Sequence, residues 1–60
     1  MKIEDQIKII QEAIDKLQFR FEEAVKDNDF IKSQQIDYVI YRLNDGKRKL
    51  EKRRNDEKTL

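Results

Sequence analysis

The chain contains no cysteine, no histidine, no proline and no tryptophan, and a single glycine, Gly46. Without cysteine there is no disulfide to staple a small core. Without cysteine or histidine there are no thiolate or imidazole ligands for zinc, and no imidazole or thiol for nucleophilic or general acid–base catalysis. Without proline nothing interrupts a helix by removing its hydrogen bonds. No apolar run approaches the ~18 residues of a membrane span, and no signal-peptide core follows Met1. These absences lead us to expect a soluble, cytoplasmic protein that is not an enzyme, holds no cofactor or metal, and has no membrane partner.

What remains is 60 residues, 45% charged and 37% hydrophobic. A core of this size rarely supplies more than roughly 3–5 kcal/mol, so self-association or a partner is the expected source of further stability. The charge is near balance at +1, but it is unevenly placed. Residues 1–46 carry seven basic and ten acidic side chains, and residues 47–60 carry seven basic and three acidic ones. An acidic body is thus followed by a basic segment.

Ile3, Ile7, Ile10, Ile14, Leu17, Phe21 and Ala24 recur at alternating steps of four and three. That is a heptad seam, and no alternation of period two competes with it. The spacing predicts a first helix over about 3–26, with Glu4 and Asp5 in its first turn, where they suit the positive end of the helix dipole. Asp27-Asn28-Asp29 is the only plausible reversal of direction. Asn and Asp tolerate left-handed backbone and bond locally to it. Asp29 is the expected N-cap of a second helix, accepting a hydrogen bond from the amide of residue 31 or 32. A calcium loop would need carboxylates at several fixed positions and a glycine at the sharp turn, so metal binding is not expected here.

Ile36, Val39, Ile40 and Leu43 continue on the second helix. If the chain reverses near residue 28, facing positions sum to about 57. Leu50 then falls opposite Ile7, which argues for a helix that continues past Gly46. The expected fold is an all-α, antiparallel two-helix hairpin over 1–54. Its second helix spans about 30–54 with a bend allowed at Gly46, and 55–60 form a frayed basic tail. Ile9, Ala13 and Phe19, with Val25 near the turn, make the apolar stripe wider than a single seam. A two-helix hairpin cannot cover so wide a stripe. Ile9, Phe19, Tyr38 and Tyr41 are therefore the candidate partner-binding residues, and a homodimer closing a four-helix arrangement through this second face is the simplest expectation.

Ile14, Leu17, Phe21, Ala24-Val25, Asp29-Phe30, Ser33, Ile36, Ile40 and Leu43 together resemble a UVR motif. This is the helical hairpin of bacterial excision-nuclease subunits and of adaptors in Clp-type protease systems. The resemblance covers about half the chain. It departs at Asp37-Tyr38, where the family usually carries Arg-Asp, and at Ser33-Gln34, where two small residues are usual. It implies docking on another protein, as a small regulator or adaptor, rather than chemistry. A second resemblance overlaps it: Ser33-Gln34-Gln35-Ile36-Asp37 is similar to the signature of small sporulation-type aspartyl-phosphate phosphatases. That resemblance implies Ser33, Gln34 and Asp37 as functional positions, with Gln34 orienting a water toward an already activated acyl phosphate. Gln35 stands where that family carries an acid. The plain alternative is that Ser33, Gln34 and Asp37 form a solvated helix face, while pairing of the helices accounts for Ala24, Phe30, Ile36, Ile40 and Leu43. A third reading takes Lys47, Arg48, Lys49, Arg53 and Arg54 as a nucleic-acid contact, which would be salt-sensitive. Cations favourably placed near a helix C-terminus, or complementing Glu4 and Asp5 in the facing register, are the competing account.

Overall fold

A computed structural model of the chain describes residues 2–59. It is an antiparallel hairpin of two helices, α1 (Ile3–Lys26) and α2 (Phe30–Thr59), that pack against each other along their length. The molecule is a rod of 49 × 15 × 13 Å. Thirty residues of α-helix span about 45 Å, so α2 accounts for nearly the whole long dimension.

The reversal occupies three residues, and their hydrogen bonds show why these residue types are there. The Asn28 amide donates to the Val25 carbonyl at 3.0 Å and the Asp29 amide to the Ala24 carbonyl at 2.9 Å. Asn28 lies at φ 57°, the left-handed region that a side chain other than Gly or Asn enters only at a cost. This is the Schellman arrangement, which satisfies the last carbonyls of α1. Asp29 then acts on the other helix. Its carboxylate accepts the Lys32 amide at 3.1 Å and its carbonyl accepts the Ser33 amide at 3.0 Å. One residue thus closes α1 through its amide and opens α2 through its oxygens, with no linker between them.

The seam runs down both arms. On α1 it is Ile3, Ile7, Ile10, Ile14, Leu17, Phe21 and Ala24; on α2 it is Ser33, Ile36, Ile40, Leu43, Lys47, Leu50 and Arg54, every member buried or half-buried. Lys47 donates to the Oε1 of Gln11, positions that sum to 58 and so match the facing register derived from the turn. Ile14 is 3% exposed, and Ala24 and Ile36 are also buried. Two helices enclose a side chain on too few sides to do more, and most of the seam stays half-buried.

Two expectations are corrected here. The second helix neither ends at 54 nor gives way to a frayed tail at 55; it continues to Thr59. No proline or second glycine follows Gly46 to end it, and Lys, Arg and Glu are good helix formers. Gly46 itself is an interior helical residue. Its missing side chain makes room for nothing, since a Cβ there would meet no atom within 4 Å.

Candidate functional site

Along each helix, one step turns about 100°. The residue just after a seam residue and the residue just before it therefore lie on opposite flanks. The Lys47 amine shows which flanks of the two helices coincide. It donates to Gln11, which follows Ile10, and lies 3.6 Å from the carboxylate of Glu51, which follows Leu50. The residues that follow the seam thus share one side of the hairpin on both arms. Those that precede it share the other.

On the first side, the half near the turn carries Val25 from α1 and Phe30, Gln34, Asp37 and Tyr41 from α2, all exposed. The α2 residues are spaced four, three and four apart, so they form one stripe about 16 Å long. Phe30 is 67% exposed and Tyr41 68%. Phe30 was expected in the helix pairing. Stepping the seam back from Ser33 reaches Asp29, the capping residue, so Phe30 follows the seam and turns outward. Ile31, also exposed, lies beside it on the outer edge of α2.

Ile9, Phe19, Tyr38 and Tyr41 are all exposed, but the structure does not bring them together. Ile9 precedes Ile10 and lies on the second side, whereas Tyr41 follows Ile40 and lies on the first. Phe19 occupies the outer edge of α1 and Tyr38 the outer edge of α2, where Arg42 donates to its hydroxyl at 3.0 Å and sits 5.8 Å from the ring centroid. The four do not make the single second face expected of them. Tyr41 shares its side with Phe30 and Val25, about 16 Å away toward the turn, and Ile9 shares its side with Ala13, one turn along α1. A shallow depression lined by Asp15, Lys16, Phe19 and Arg20 lies on α1 alone and is open to solvent.

Ser33 departs from its expected place on a solvated face. It is a seam residue, 6% exposed, and its hydroxyl donates to the Phe30 carbonyl at 2.9 Å. Its size explains the position. The helices converge at a three-residue turn, and the facing pair Ala24 and Ser33 is small enough to let them. Gln34 and Asp37 are exposed on the first side, so of the three phosphatase-like positions only these two face solvent together.

The basic positions are dispersed as well. Lys47 and Arg54 belong to the seam and are half-buried, and the Arg54 Nε is enclosed without a hydrogen-bond partner. Arg48 lies on the first side, and Lys49 and Arg53 on the second. Lys49 is paired with Asp45 at 3.3 Å. Among the described residues the ion pairs stand within α2, one turn apart, rather than reaching Glu4 or Asp5.

Among the described residues no three carboxylates gather as a cation site, and no helix is long and apolar enough to cross a membrane. The chain matches no protein-family model, and no curated protein and no solved structure is significantly similar to it.

Proposed function

We propose that this hairpin is a small non-enzymatic interaction module of the cytoplasm, a regulator or adaptor that docks on a larger protein. Its docking surface is the side bearing Val25, Phe30, Gln34, Asp37 and Tyr41. The observation that carries this reading is the exposure of Val25 and Phe30 beside the turn and of Tyr41 about three helical turns further along the same side. Folding leaves them wet, although aromatic side chains are the residues most rewarded by burial at an interface. The turn holds them in place, since Asp29 locks the first turn of α2 from which Phe30 and Ile31 project. The resemblance to the UVR hairpin supports the same reading.

The test is a photo-crosslinking amino acid in place of Tyr41 in the source cell. One discrete adduct with a larger protein, lost on Phe30→Ser and not formed from Lys52, is the expected result. No adduct from position 41, or the same adducts from position 52, refutes the reading.

A second reading has one observation in its favour: Gln34 and Asp37 stand exposed on the same side, between Phe30 and Tyr41. An aspartyl-phosphate phosphatase would use them to orient water on a docked receiver domain. Accelerated loss of phosphate from a phosphorylated receiver, abolished by Gln34→Ala with helicity intact, would establish it in place of the first.

A further inference from the structure

The two broad sides of the hairpin carry opposite charge. On the second side, the residues preceding the seam include Lys16, Arg20, Lys32, Arg42, Lys49 and Arg53, with Glu23 and Asp56 as the acids among its described helical residues. On the first side, the residues following the seam include Glu4, Asp15, Glu22, Asp37 and Glu51, with Lys8 and Arg48 opposing them. This segregation is invisible in the overall balance of +1. It also differs from the acidic-body, basic-tail division along the chain, because both arms contribute to both sides.

We infer that the occupant of the acidic side is the basic side of a second copy of this chain. The inference rests on the docking reading only in that the Phe30–Tyr41 side is a covered surface, and it assigns that surface to a second copy of the chain in place of a larger protein. Three observations support it. The two sides differ in net charge, six basic against two acidic residues on one and five acidic against two basic on the other, so each copy presents a net charge that the other side of its neighbour complements. The basic side also has apolar surface, Ile9, Ala13 and Val39, exposed or half-buried, on which Tyr41 of the neighbouring copy can be covered. Finally, a face of 49 by 15 Å amounts to about 700 Å² from each copy, close to the ~800 Å² per partner of a stable interface.

The charge pattern also determines the symmetry. A two-fold dimer sets a side against itself, net positive on net positive or net negative on net negative. Basic side on acidic side is a heterologous contact, which leaves one free basic and one free acidic side at the ends and so continues as a stack. The proposed association is open and salt-sensitive, an alternative to the two-fold four-helix dimer expected from the sequence.

Sedimentation velocity on the full chain at about 0.01 M and about 1 M salt, where screening falls from ~30 Å to ~3 Å, tests this directly. The expected mass at low salt rises with protein concentration through dimer and beyond. At high salt it falls back toward the 7.4 kDa monomer. Lys16→Glu/Arg20→Glu cancels the net positive charge of the second side, and Glu22→Lys/Asp37→Lys turns the first side from net negative to slightly net positive. Each variant alone is expected to lose association at least tenfold, and an equimolar mixture of the two is expected to recover it. A wild-type chain that stays monomeric at about 1 mM and low salt, or a closed dimer indifferent to salt, overturns the inference. So does an equimolar mixture of helical variants that fails to associate. If a variant loses its helical circular dichroism, the wild-type salt and concentration series decides alone. A monomeric chain that still gives the Tyr41 adduct in cells refutes self-association and leaves the docking surface standing, whereas absence of that adduct refutes the docking reading itself.

Discussion

Asp29→Ala removes one hydrogen bond from the junction of the two helices and leaves the others. In the wild type the Asp29 carboxylate accepts the Lys32 amide at 3.1 Å, its amide donates to Ala24 and its carbonyl accepts from Ser33. Alanine keeps the two backbone bonds and loses the cap. An N-cap of this kind contributes about 1 kcal/mol, with a range of about 0.5–2. The carboxylate adds a favourable charge at the start of α2, where the structure has no other acid in the first turn, worth roughly 0.3–1 kcal/mol. Against a total of roughly 3–5 kcal/mol this is a large share, and 1 kcal/mol moves the melting midpoint of so small a domain by about 4–8 °C. The assay is thermal unfolding followed by circular dichroism at about 0.01 M salt, where the charge contribution is unscreened, and at a protein concentration low enough that the chain is monomeric, so that linkage to self-association does not enter. Asp29→Asn separates the two contributions, because asparagine caps nearly as well and carries no charge. The expected order of midpoints is wild type, then Asn, then Ala. An alanine variant that melts with the wild type, or an asparagine variant as unstable as alanine, refutes the view that the side-chain cap bond holds the turn.

Gly46→Ala is expected to stabilise the hairpin by up to about 1 kcal/mol, since the added Cβ has open space and the backbone is already helical; a rise of the midpoint in the same assay checks it. Ile14→Ala empties the most enclosed large position of the seam. Its cost of about 2–5 kcal/mol is comparable with the whole stability, so much of the helical signal is expected to be lost at room temperature.

The hairpin was legible in the sequence because its causes are local. A seam at steps of four and three sets the helical period, the absence of proline lets it run, and Asp27-Asn28-Asp29 is the one place suited to left-handed backbone and a new cap. The bounds of α1 and the three-residue turn follow from those features alone. The end of α2 was less legible. A basic, polar segment has weak amphipathic patterning, and nothing in its composition distinguishes a helix end at 54 from one at 59.

The surface was harder to read from the chain, for a geometric reason. Exposure depends on which flank of which helix a residue occupies, and that depends on the register between the arms. Ser33 reads as a polar outward residue until Ala24 stands opposite it; then its small size becomes the reason it is buried. Phe30 reads as core until the seam is seen to pass through Asp29. Ile9, Phe19, Tyr38 and Tyr41 look like one group by type and separate once placed on the rod.

The sequence by itself determined the two helices, the turn and the seam, because each rests on contacts between residues a few positions apart. Only the tertiary structure decided which side chains share a side. Antiparallel pairing brings the residues following the seam on one arm beside those following it on the other, as Lys47 shows by reaching both Gln11 and Glu51. From that pairing alone come the aromatic stripe of Phe30 and Tyr41 and the separation of acidic from basic faces.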